Sequence, residues 1–155
     1  MPVRKLKEFL DSQSVKYVSI SHSPAYTALE VAASAHVSGR ELAKTVIIKN
    51  DGKMAMVVLP ASSRVAFDLL AKQIGSQHVE LAAEQEFKDM FPGCELGAMP
   101  PFGHLYGMQV FVSDRLAEEE ELAFSAGSHS EIIKLKYEDF ARLAKPEIVN
   151  ISALR

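Results

Sequence analysis

At 155 residues, 48% of them apolar, the chain suits one compact domain with a real core and leaves little length for a second, so residues 1–155 are expected to form a single domain. No apolar run approaches the ~20 residues that cross a bilayer, and MPVRKLKEFL lacks the apolar core and cleavage site of a signal peptide, so a soluble, cytoplasmic protein with no membrane partner is expected. One cysteine, Cys94, excludes an internal disulfide and a multi-cysteine zinc site, and a net charge of −3 argues against coating long stretches of nucleic acid.

Val3, Leu6, Phe9 and Leu10 fall on one helical stripe over Val3 to Asp11, after which Tyr17 to Ser21 alternates like a short strand. A second helix is expected over Ala28 to His36, ending before Gly39. Lys44 to Lys49 is β-branched and apolar, and Asn50-Asp51-Gly52-Lys53 is a hairpin turn leading into a strand over Met54 to Leu59. Ser62 or Ser63 can cap a helix with the stripe Val65, Leu69, Leu70 and Ile74, closed by Gly75. A further helix over Glu84 to Phe91 stops at Pro92-Gly93, and a short strand is expected near Glu95 to Leu96.

The loop Gly97 to Gly103 precedes a strand over Met108 to Val112. The tail supplies a helix over Leu116 to Ser125, with the acidic run Glu118 to Glu121 near its positive end, then a strand over Glu131 to Leu135. A helix over Tyr137 to Ala144 and a strand over Glu147 to Ile151 complete it. No internal repeat or low-complexity linker divides this order, which points to an α+β (mixed α/β) domain with a mixed sheet.

Two features carry possible chemistry. Period-two geometry puts Lys44 on the face of Val46 and Ile48, where it reads either as a cation holding an anionic ligand, as a base or nucleophile with a shifted pKa, or as a strand-end lysine snorkelling to water. The loop Gly97-Ala98-Met99-Pro100-Pro101-Phe102-Gly103 reads either as a stiff connection or as a turn whose exposed amides grip a carbonyl. The five histidines, at 22, 36, 78, 104 and 129, include no His-x-x-x-His pair, so no metal and no other cofactor is expected. No Gly-x-Ser-x-Gly elbow, Walker loop or dinucleotide fingerprint occurs.

Taken together and in order, several segments resemble the YbaK/ProX family of aminoacyl-tRNA deacylases, related to the editing insertion domain of bacterial prolyl-tRNA synthetase. They are His22-Ser-Pro-Ala, Glu41-Leu42-Ala43-Lys44-Thr45-Val46, Leu59-Pro60-Ala61, Gly97-x-x-x-Pro101 with Phe102-Gly103, Val112-Ser-Asp114, and Ala126-Gly127. The resemblance covers nearly the whole chain and implies a central mixed, barrel-like sheet surrounded by helices, with a cleft for the terminal adenosine of a charged tRNA. It implies Lys44 as the essential lysine that orients the phosphate or ribose end, and Gly97 to Pro101 as the loop whose amides hold the aminoacyl carbonyl. Lys44 and Gly97 are therefore the expected catalytic residues; His22, Thr45, Ala98, Met99, Pro100, Pro101, Phe102, Gly127 and His129 are the expected substrate contacts. The implied partners are the acceptor end of a mischarged tRNA and a prolyl-tRNA synthetase, with no DNA.

An aminoacyl ester is already activated, so a positioned water and a stabilised oxyanion supply the rate without a side-chain triad. The implied activity is trans-editing of a small amino acid, alanine, serine or cysteine, on tRNA(Pro). The loop Gly-Ala-Met-Pro-Pro, unlike the Gly-Gly-Ile-Ser-Pro associated with the cysteine-directed branch, favours alanine or serine. The alternative is a non-catalytic module of the same fold that binds an acceptor end or an adenosine-like ligand.

Overall fold

Runs of apolar and β-branched residues set most of the sheet, and its central strands are buried on both sides. In the computed structural model residues 2–21, 41–91, 98–128, 130–150 and 152–153 are described, so the helix expected over 28–36, the strand near 95–96 and Cys94 lie outside the described residues. Helix α1 (Pro2–Ser12) buries Leu6 and Leu10, and strand β1 (Tyr17–Ser21) follows at one sheet edge. Strands β2 (Leu42–Asn50) and β3 (Lys53–Pro60) make the expected hairpin. Asp51 at φ 49° and Gly52 at φ 88° both take the left-handed conformation that a two-residue hairpin turn of this hand demands. The Asp51 carboxylate then accepts from the His78 backbone N–H at 2.8 Å. Strand β5 (Val79–Leu81), too short to show a period, thereby pairs with the end of β2.

The helix expected to be capped by Ser62 or Ser63 starts later. Arg64–Val65 forms a two-residue strand, β4, against β10 (Ser152–Ala153), and helix α2 (Phe67–Ile74) begins after Ala66 without a side-chain cap. Its inner stripe is Phe67, Leu70, Ala71 and Ile74, whereas Leu69 is 42% exposed. Gly75, at φ 71°, closes it as expected. Helix α3 spans only Glu84–Phe87 and tightens into a 3-10 turn over Lys88–Met90.

The largest correction lies after strand β6 (Gln109–Ser113). The helix expected over 116–125 is a four-residue helix, α4 (Asp114–Ala117), followed by strand β7 (Glu121–Ser128). Leu122, Ala123, Phe124 and Ala126 are all at most 1% exposed, and a run buried on both sides carries no period that separates strand from helix. Sheet pairing decides, since β7 lies antiparallel to β8 (Glu131–Lys136) and parallel to β2. Glu118 caps the C-terminal end of α4, so the acidic run does not meet a positive dipole end. Helix α5 (Tyr137–Ala144) and strand β9 (Glu147–Val149) end the main sheet.

The strands form one curled mixed sheet in the order β1-β8-β7-β2-β3-β6-β9, with β5 beside β2. Each face has its own core. One face collects Leu6, Leu10, Ala43, Ile47, Val58, Phe102, Phe124, Ile133 and Phe140 under α1 and α5. The other gathers Ile48, Val57, Leu59, Phe111 and Val149 under Leu70 of α2. We call these the aromatic face and the outer face.

Candidate functional site

Strand β2 positions the first candidate. Ala43 and Ile47 belong to the aromatic core, so Lys44 projects to the outer face together with its cross-strand partner Leu59. It is half-buried there, as are Val46 and Thr45, while Ile48 is fully buried. Thr45 points the opposite way, opposite Val58 of the aromatic core. Lys44 and Thr45 therefore do not share a surface.

The edge of β2 away from β3 is divided. Strand β7 pairs with Leu42 and Ala43, and β5 with Ile48 to Asn50. Between these pairings no described strand runs along that edge. The pairing of β7 with β2 ends at Phe124, and its pairing with β8 is irregular between Ser125 and Ser128, where Gly127 sits at φ 97°. A side chain is disfavoured at that φ, which is why glycine stands at the bend.

The loop enters beside this bend. The Gly127 N–H donates to the Ala98 carbonyl at 2.8 Å, so two segments far apart in sequence meet next to the start of β2. Ala98, Met99, Pro100, Pro101, Phe102 and Gly103 are all buried. Met99 and Phe102 join the aromatic core, where the Phe102 ring lies 5.5 Å from Phe124, 5.8 Å from Phe140 and 5.9 Å from Phe9. Those side chains anchor the loop, so what it can offer a ligand is backbone. Pro100 and Pro101 carry no N–H, so in the stretch 98–101 only Ala98 and Met99 have backbone donors.

Gly97, His22 and His129 lie outside the described residues. Their flanks are held, however. Glu131, the first residue of β8, is bridged by Lys7 at 2.9 Å and by the Ser19 hydroxyl. The Ser19 hydrogen bond foremost, and the Lys7 ammonium after it, hold the Glu131 carboxyl below its ordinary range. This clamp joins α1, β1 and β8 at the end from which the chain passes to residues 22 and 129.

Strand pairing also brings in residues that the sequence alone did not single out. Phe124 is paired with Ala43, so Ser125 and Lys44 are the next residues on these two parallel strands. Ser125 is half-buried, faces away from the aromatic core and is paired on its other side with Ile132. Nothing in the local pattern of β7, buried on both sides, singles it out; its pairing with β2 does. The Asp114 of the Val-Ser-Asp segment lines a separate cleft of about 410 Å³ with Pro60, Ser63, Arg115 and Asn150. Among the described residues no group of three His, Cys, Asp or Glu could hold a metal.

The model of the aminoacyl-tRNA editing domain family matches residues 22–143. A multifunctional Ser/Thr-tRNA deacylase, ProXp-y, of Escherichia coli strain K12 is 33% identical over 113 residues, which is 70% of this chain and 67% of that protein. A crystal structure of a hypothetical protein superposes with a TM-score of 0.85 at 21% identity, covering 96% of this chain and 99% of the other. Another, described as a candidate trans-editing enzyme for prolyl tRNA synthetase, superposes with a TM-score of 0.82 at 16% identity, covering 98% and 97%. The curled mixed sheet with its helices is thus a fold shared with known structures.

Proposed function

The chain belongs to the aminoacyl-tRNA editing domain family, and from that premise we propose that it hydrolyses the ester joining a wrongly attached small amino acid to the terminal ribose of a tRNA. The observation that carries the reading is the Gly127-to-Ala98 hydrogen bond, which fixes a side-chain-anchored loop beside the strand start that bears Lys44. A rigid backbone next to a half-buried cation suits a substrate with a carbonyl to polarise and a phosphate to hold.

In this reading Lys44 orients the phosphate or ribose end and stays uncoupled from bond making. A water oxygen adds to the ester carbonyl carbon, and the N–H groups of Gly97, Ala98 and Met99 stabilise the oxyanion that forms. Collapse of that intermediate breaks the bond to the ribose oxygen, which takes up a proton, and the free amino acid leaves. His22, Gly127 and His129 flank the ligand, Thr45 supports the strand of Lys44 from the aromatic face, and Pro100, Pro101 and Phe102 act by holding the loop. The substrate set includes serine and threonine, after the activity named for the E. coli relative, along with alanine and cysteine. An apolar pocket separates neighbours differing by a methylene by only about 1–3 kcal/mol, so overlapping activity is expected. A cytoplasmic setting and supply of mischarged tRNA(Pro) by prolyl-tRNA synthetase complete the proposal.

The test is deacylation of tRNA charged separately with serine, threonine, alanine and cysteine. At least one ester should disappear faster with enzyme than in buffer, and Lys44→Ala should lower kcat/KM roughly 10- to 150-fold, the worth of one hydrogen bond to a charged group. If none of the four esters is hydrolysed above the buffer rate, the reading falls.

A further inference from the structure

The Lys44 surface continues sideways across the sheet. Ile133 and Leu135 belong to the aromatic core, so Lys134 of β8 projects to the opposite, outer face. Leu122 and Phe124 of β7 likewise face the aromatic core, leaving Ala123 and Ser125 on the outer one. Lys134 is paired with Ala123, and Ala123 with Leu42, two residues before Lys44. Two lysines thus stand on one face, with the small residues Ala123, fully buried, and Ser125, half-buried, on the strand between them. Two inter-strand steps and two residues along the strand separate their Cα atoms by roughly 12 Å. Lysine side chains are long, so both ammonium groups can reach one short stretch of ligand backbone.

Lys134 also differs from other described lysines in its ion pairs. Lys7 closes on Glu131 at 2.9 Å and Lys49 on Glu86 at 2.7 Å. Lys134 Nζ instead hangs between Glu41 and Glu121, 3.7 Å from each, longer than a hydrogen bond of about 2.7–3.2 Å. It is 27% exposed, and Glu121 is 48% exposed. Ion pairs as loose and accessible as these are weak and screened by salt. A phosphate oxygen at hydrogen-bond distance would compete well against them.

We infer that Lys134 is a second phosphate-binding residue, gripping the single-stranded acceptor end of the substrate together with Lys44 and exchanging its contacts with Glu41 and Glu121 for a phosphodiester oxygen. This rests on the tRNA-end reading of the Lys44 face.

The experiment measures the salt dependence of substrate capture. Each phosphate contact to a single strand contributes about −0.7 to the slope of log affinity against log salt. Lys134→Gln should therefore raise KM about fivefold at low salt with kcat unchanged, and make the slope shallower by about 0.7. Lys134→Arg should restore both, and Glu121→Gln, which frees the ammonium, should lower KM. Lys49→Gln, the matched loss of an ion-paired lysine on the other face at the far end of β2, should leave the slope as it was. A slope unchanged in Lys134→Gln, or a KM raised by Glu121→Gln in parallel with Lys134→Gln, overturns the inference and makes the lysine a strut between strands. Filter binding of an uncharged acceptor-stem minihelix repeats the slope measurement without hydrolysis. Inactivity of the wild type with a lysine-dependent binding slope would sink the deacylase reading alone, whereas full activity with an unchanged slope would sink only the role of Lys134.

Discussion

The same strands build two unlike surfaces. On the aromatic face Ala43 and Ile133 share one core with Phe102, and three rings, Phe9, Phe124 and Phe140, surround Phe102 at centroid separations of 5.5–5.9 Å. One residue along each strand, the outer face offers Lys44, Ser125 and Lys134. Period two places these two sets on opposite sides of the same strands. The aromatic face is packed under α1 and α5, whereas the outer face divides into a core under α2, built on Ile48, Val57, Leu59, Phe111 and Val149, and the strip that carries Lys44, Ser125 and Lys134. The loop after Gly97 belongs to both, since its side chains are core and its backbone meets the bend of β7.

The strongest way to break this division is to remove its anchor. Phe102→Ala should cost about 3–5 kcal/mol, the usual range for a fully buried ring, read as a lower denaturant midpoint. Activity should fall with it, because the loop backbone loses its hold. Lys44→Ala should do the reverse, leaving stability within about 1 kcal/mol while activity drops. If Lys44→Ala destabilises as much as Phe102→Ala, the two faces are not separable in the way described.

Gly103→Ala tests the same anchor more gently. A Cβ at Gly103 would lie 2.6 Å from the Met108 carbonyl oxygen and 2.7 Å from Val110 Cγ2. The first is backbone and cannot swing away. Overpacking of this kind costs about 1–3 kcal/mol, and the loop should shift enough to raise KM. An alanine variant with native stability by calorimetry would show that the strand pairing of β6 tolerates more movement than the close approach implies.

How much of this was legible in the sequence depends on how local the signal is. The β2–β3 hairpin was readable because Asp51-Gly52 is its own instruction, and α5 because helical spacing holds over its eight residues, about two turns. Strand β7 was not. Its run is apolar on both sides, and only its two neighbouring strands decide that it is extended. The same holds within the site. Lys44 could be placed on a strand face from its neighbours, but Ser125 and Lys134 lie 81 and 90 positions further on. They reach its side only through strand pairing, which leaves no mark in local periodicity. The loop was seen as a candidate from its glycines and prolines, yet the burial of Met99 and Phe102 depends on Phe9, Phe124 and Phe140, contributed by three other elements.

The smallest effect concerns pH. His104 stacks beside Phe9 at 5.3 Å and Phe102 at 6.2 Å on the flank of the aromatic face. Burial against these rings, and to a lesser degree the charge of Lys145, lowers its pKa below the ordinary histidine value. The unfolded chain then binds a proton at a pH where the folded chain does not. Stability from this group is present above about pH 6.5 and is lost as pH falls towards the folded pKa. One side of the ring rests on these neighbours while the residue as a whole is exposed, so solvent screening limits the contribution to at most about 0.5 kcal/mol. His104→Gln should flatten the stability profile between pH 5 and 7 by that amount while leaving the pH dependence of hydrolysis in place, since His104 serves the aromatic face only. A hydrolysis profile that moves with the His104→Gln substitution would instead tie the two faces together through Phe102 and the loop.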